Sequence, residues 1–391
     1  MEAKCKKIKM IIINFGLGGT IIFYWARVHG ENPVIKSLQP GRYRGKIEMR
    51  IRVKCRVWNI ENMNQFLLVL FLLSMGSVCC AMDFKPPGAA ERLRAIGSTK
   101  GLPETLRLAL DPGSDFEPIP APQPGGWLAE HLEPGQTFED FGRSQPPRPD
   151  GTRSKIYLQP LGRFPKDQSP AVEILREYAA AYFVLNVEIF PPQTTDTFNP
   201  TTRINPHTQK RQILTQDVLT LLKRKLPADG FCLLAVTMED LYPEPSWNFV
   251  FGQVSLRERV GVFSFARYDP AFYGEPRGRD YPEVLLRRSC KVLVHEAAHI
   301  FSLAHCIFFR CILNGSNHLR ESDSRPLFLC PVCLRKLQFS IGFDVLDRYG
   351  KLLNFYRKVT FDHEARWVAG RLRRISPDRG SLLESPRSKG G

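Results

Sequence analysis

The stretch HEAAHIFSLAH, residues 295–305, carries three imidazoles and a carboxylate at spacings that suit a single metal ion. On a helix His295 and His299 project from one face, one turn apart, so both rings can reach the same ion. Glu296, beside the first, can point into the same cleft as a base without being a ligand. Catalytic zinc keeps three protein ligands and leaves a fourth position for water. His305, six residues after His299, supplies the third once the helix ends and the chain turns back. Two histidines at i and i+4 also fit a structural metal clip or an ordinary polar helix face, but a third histidine at that offset favours a catalytic site. In such a site zinc lowers the pKa of its water towards about 7; Glu296 accepts the proton and can return it to a leaving group.

A second constellation starts at the next residue. Cys306 and Cys311 form C-x4-C, and after 18 more residues Cys330 and Cys333 follow in CPVC. Two such pairs bring four thiolates around one tetrahedral ion closed to solvent; four free buried cysteines are the alternative. A closed zinc there holds the loop beyond His305, which couples that loop's folding to the geometry of the histidine site. The other six cysteines, Cys5, Cys55, Cys79, Cys80, Cys232 and Cys290, are scattered. A chain of 391 residues with 43% apolar residues can pack a core without disulfides. The paired spacing therefore reads as a metal site, and a reducing compartment, cytoplasmic or nuclear, is the default.

The elements that must position these groups are those of an α/β chain. Lys155–Leu161, Val184–Phe190 and the continuous apolar run Phe231–Thr237 read as strands; Pro170–Phe183 and Thr215–Leu226 read as helices, so the sheet is mixed or mostly parallel. Trp247–Gln253 and Val260–Arg267 read as two more strands, a hairpin or successive members of the sheet. A helix opens near Pro282 and runs through Val284–Leu303, carrying the first two histidines. Before these lies a Pro-rich stretch, with nine prolines from Pro112 to Pro149, too dense for continuous helix or central strand. The expected organisation is an N-terminal extension over 1–82, a Pro-rich arm or linker over 83–153, a catalytic domain over 154–360 and a basic, unpacked tail over 361–391.

Charge says little about the partner of that domain. The formal net charge is +16, but residues 1–60 hold 13 Lys and Arg against 3 Asp and Glu, and residues 366–391 hold 7 against 2. The body between is balanced and presents no obvious phosphate-tracking stripe, so no nucleic-acid partner is expected; binding through the two basic ends is the remaining alternative. Met10–Ala26, after a Lys-rich start, sits at the short limit for a membrane span. Phe66–Ala81 resembles a signal-peptide core that works only if translation begins at Met63. Membrane anchoring or secretion through these segments is one expectation, a variable extension without a catalytic role the other.

The order HExxHxxxxxH, C-x4-C, C-x2-C resembles the archaemetzincins, zinc metallopeptidases of the metzincin clan. The resemblance extends through DLYPEPSWNFVFGQ (240–253), GVFSFARY (261–268) and GSNHLRESDSRPLFLCPVCLRKLQ (315–338), and covers roughly residues 154–358. It implies a metzincin-like zincin fold: a twisted mixed sheet above the cleft, the active-site helix at its floor, and below it the four-cysteine zinc loop and a C-terminal helix. It also implies two zinc ions per chain, one on His295, His299 and His305 and one on the Cys quartet, with Glu296 as general base and acid. Aminopeptidase-like action on peptides by a monomer is the further expectation. Two positions depart from the family pattern. Ser302 stands where a Gly makes the left-handed turn towards the third ligand, and Leu313 stands where a Met lies beneath the zinc. These departures motivate the alternative of a catalytically weak or inactive zinc protein that binds peptides or partners. Substrate could lie antiparallel to Val260–Ala266 if that segment is an edge strand, and not if it is an interior one. His207 and His318 read as ordinary polar residues.

Overall fold

The computed structural model describes Met10–Ile11, Tyr24–Trp25 and residues 84–376. The first two pairs form β1 (Met10–Ile11) and β2 (Tyr24–Trp25), which are antiparallel. The expectations for the rest of Met10–Ala26 and for Phe66–Ala81 lie outside the described residues. Among the described residues no helix is long and apolar enough to cross a membrane.

The main sheet has five strands, β3 (Lys155–Leu161), β4 (Val187–Ile189), β7 (Gly230–Thr237), β9 (Gly252–Ser255) and β10 (Val260–Ser264), in the order β4-β3-β7-β10-β9. Four run parallel and β9 alone is antiparallel to its neighbour. A smaller sheet joins β5 (Thr202–Ile204), β6 (Arg211–Leu214) and β8 (Asp240–Tyr242). The continuous apolar run of β7 follows from its place at the centre, where helices cover both faces. Its alternate residues divide between two layers. Cys232, Leu234 and Val236 join the core that holds α5 (Val172–Phe183) and α7 (Tyr281–Ile300); Leu233 and Ala235 join the one built on α6 (Thr215–Lys225).

Val260–Ala266 is not an edge. All five residues of β10 are buried and it pairs on both sides, with β7 and with β9. The edge beside the active-site helix is β9, and the aromatic run expected as a strand from Trp247 is extended only from Gly252.

The active-site helix α7 also ends earlier than its periodicity suggests, at Ile300. Phe301 is fully buried between Phe231, at 4.4 Å, and Phe183, at 5.4 Å, both stacked on it. The next residue, Ser302, has φ 65°. Ser302 N donates to His299 O and Leu303 N to Ala298 O, the paired bonds of a Schellman close. This turn stops the helix and redirects the chain towards His305.

Two boundaries expected from composition differ in the structure. Of the two readings of the Pro-rich stretch, the described residues 84–153 form a packed arm and not a free linker. They contain α1 (Ala89–Ile96), α2 (Glu104–Leu110), α3 (Trp127–Glu130) and α4 (Phe138–Arg143), and they bury Ala95, Ile96, Leu106, Ala109, Leu110, Phe116 and Phe141 in the main core. The helices fit between the prolines, and α4 is started by a Thr137–Asp140 capping box. The segment from 361 is likewise no unpacked tail as far as it is described. After α8 (Leu319–Asp323), α9 (Pro331–Ile341) and α10 (Val345–Lys358), helix α11 (Asp362–Ile375) packs Val368, Leu372 and Ile375 into the core. Its Trp367 stacks on Phe328 at 3.7 Å. The arginines that made this segment look solvated include Arg371, which is buried and paired with Asp115.

Candidate active site

Helix α7 supplies two imidazoles and the Schellman turn supplies the third. His295 Nε2 and His299 Nε2 lie 3.2 Å apart, and ligand nitrogens of all three histidines fall within 4.8 Å of one another. A tetrahedral ion with Zn–N distances of about 2.0–2.1 Å needs nitrogens about 3.3 Å apart. The outer nitrogen of each ring has its own acceptor: Ile312 O at 2.8 Å for His295, Leu303 O at 2.6 Å for His299, Glu133 Oε1 at 2.8 Å for His305. With Nδ1 donating, each Nε2 is a bare acceptor turned inward, an arrangement that suits a cation. Burial holds His295 well below the usual imidazole range and His299 down to about 4, with the neighbouring histidines acting in the same direction. Both are therefore neutral, as ligands must be.

Glu296 follows His295 on the same helix and lies under β9: a side-chain carbon added at Gly252 would stand 3.5 Å from its Cγ. Desolvation pushes its carboxyl up to about 7. Above the group opens a cavity of about 700 Å³ whose wall includes His295, Glu296, His305, Trp127, Phe251 and Lys291.

The four cysteines form a second cluster. All are buried, their sulfurs lie within 4.8 Å of one another, and Cys306 Sγ is 3.5 Å from Cys330 Sγ. Burial alone would raise the Cys306 thiol, but hydrogen bonds from Cys311, Cys330 and Cys333 outweigh it and hold it well below the usual range. Four soft donors in a closed pocket fit a structural zinc.

Residues 214–339 match Peptidase family M54. The chain is 42% identical over 276 residues to Archaemetzincin-2 of Macaca fascicularis and to that of Homo sapiens, covering 63% of this chain and 76% of each relative. The chain belongs to the archaemetzincin family. It is a zinc metallopeptidase. Archaemetzincin-1 of Mus musculus is 35% identical over 259 residues, covering 58% of this chain and 51% of the relative. The crystal structure of archaemetzincin from Methanopyrus kandleri is 28% identical, with a TM-score of 0.38, and covers 49% of this chain and 97% of its own.

Within the archaemetzincin pattern the two departures have a structural account. Ser302 adopts the left-handed conformation for which a Gly was expected, and Gln136 steadies it: Gln136 Nε2 donates to Ser302 O and Gln136 Oε1 accepts from Ala304 N, both at 3.1 Å. Leu313 is fully buried, and its carbonyl accepts from Cys306 N at 2.8 Å. His318 caps α8 through Nδ1, as an ordinary polar residue, and His207 is exposed in the turn between β5 and β6.

Sequence reasoning missed the contribution of the arm. Trp127, Glu133 and Gln136 all reach the site from 166 or more residues away in the chain. No local pattern marks such contacts. The available signal was Trp127, Glu133 and Gln136 within a Pro-rich stretch read as an arm or linker.

Proposed function

We propose that this archaemetzincin hydrolyses peptide bonds at the His295, His299 and His305 site with Glu296 as general base and acid, and that its action is aminopeptidase-like. The observation that carries the reading is the convergence of three inward-facing Nε2 atoms beside a desolvated carboxylate. Zinc bound there supplies Lewis acidity towards the peptide carbonyl and lowers the pKa of an attacking water. Glu296 takes the water's proton and delivers it to the leaving amine. The outer edge of β9, Gly252–Ser255, gives the substrate backbone a strand to align with, directly above Glu296. Glu244 in the cavity wall offers a carboxylate to a free α-amino group.

A second, structural zinc on Cys306, Cys311, Cys330 and Cys333 completes two ions per chain. The alternative of a peptide-binding protein without turnover rested on Ser302 and Leu313. The left-handed Ser302 leaves the turn to His305 intact, so the enzyme reading is preferred. The test is hydrolysis of a peptide library with free and acetylated N-termini. Zinc-dependent cleavage of the free peptides supports the proposal, cleavage of both sets equally removes the aminopeptidase part, and silence with two zinc bound supports the binding alternative.

A further inference from the structure

His305 differs from the other two histidines in what orients it. His295 and His299 donate to carbonyls of the chain close by, at Ile312 and Leu303, whereas His305 Nδ1 meets a carboxylate oxygen of Glu133, 172 residues earlier, at 2.8 Å. The same oxygen, Glu133 Oε1, accepts from Trp127 Nε1 at 2.8 Å. The Trp127 ring stands edge-on to His305 at 5.0 Å and is seated against Gly315, where any side-chain carbon would collide with the indole. Trp127 N is tied in turn to Glu321 Oε1 at 3.0 Å, and three residues past Glu133 the arm clamps the Ser302 turn through Gln136. Trp127, Glu133 and Gln136 lie outside the residues that match the peptidase family.

We infer that Glu133 is a positioning residue for His305, and that docking of the 127–136 strap sets the affinity of the histidine site for its ion. The carboxylate accepts from Nδ1, which leaves Nε2 free to face the ion, and it fixes the plane of the ring; Trp127 keeps the carboxylate in place. Without Glu133, His305 hangs on a turn that ends in a non-glycine left-handed residue, with no partner to orient it.

The inference rests on the proposed histidine metal site. It is tested on the full chain with Co2+ as the probe, because a thiolate charge-transfer band reports the cysteine site separately from the histidine site. Competition with a chelator is expected to show Glu133→Ala weakening the histidine site about 100-fold and Glu133→Gln about 10-fold, the range for loss of an outer partner of a ligand. Trp127→Phe should weaken it less, and the cysteine site should be unchanged in all three. If Glu133→Ala fails to fold, the near-isosteric Glu133→Gln and Trp127→Phe carry the test. Equal affinities in wild type and the folded variants overturn the inference while leaving the metal site standing. A wild-type chain whose histidines bind no ion overturns the site itself.

Discussion

His295 Nδ1 lies 2.8 Å from the carbonyl oxygen of Ile312, the residue that follows Cys311 in the cysteine cluster. The loop held by the four thiols therefore supplies the acceptor that sets the tautomer of the first histidine. Leu313, the next residue, bonds back to Cys306, which adjoins His305. Residues 311–313 join the cysteine cluster to the histidine site, so distortion of the cysteine loop reaches the histidines.

That relationship predicts that replacing Cys330 and Cys333 by Ser lowers bound zinc from the proposed two per chain towards none, not to one, and lowers the melting temperature. Metal analysis and thermal unfolding check it. One zinc retained with unchanged melting would show the clusters to be independent.

Ser302→Gly should stabilise the chain. A non-glycine residue at φ 65° costs about 1 kcal/mol, which corresponds to a rise of about 2 °C in melting temperature. Because Ser302 already makes the turn, kcat/KM should change less than about twofold, well under the tenfold that about 1.4 kcal/mol of misplacement would give. A tenfold gain would mean that Ser302 misplaces His305.

Lys291 gives a pH dependence. Burial lowers its ammonium from 10.5 to about 8, although Ser322 O and Arg325 O accept from it at 2.6 and 2.8 Å. A base with a lowered folded pKa leaves the unfolded state holding more protons between about 8 and 10.5, so its contribution to stability rises with pH in that window. Wild type should gain up to about 3 kcal/mol relative to Lys291→Met between about pH 7.5 and 10.5. Urea unfolding at the two pH values measures the difference, and a pH-independent difference would contradict it.

Removal of residues 361–391 should destabilise the chain by several kcal/mol. The cut uncovers the pocket filled by Val368, Leu372 and Ile375, each contributing about 1.5–3 kcal/mol when buried, and removes the Trp367–Phe328 stack. Unchanged melting would restore the reading of this segment as a tail.

Sequence patterns revealed the local parts of the site. His295, Glu296 and His299 share one helix, and the four cysteines come in pairs, so spacing alone brings them together. The left-handed Ser302 was legible as the position where the family turns. Glu133 was not, because its partner is 172 residues away and lies beyond a Pro-rich stretch. The choice between β9 and β10 as the edge was also hidden, since both are short and only pairing decides which is outside. Helix α11 could have been read correctly: Val368, Leu372 and Ile375 fall at helical spacing, but the arginines between them drew attention to charge.

The most direct measurement is peptide hydrolysis by Glu296→Gln alongside its zinc content. The account predicts two zinc per chain, as in wild type, with kcat/KM reduced at least about 100-fold through loss of the proton acceptor. A variant that keeps both ions and cleaves peptides as fast as wild type would contradict it.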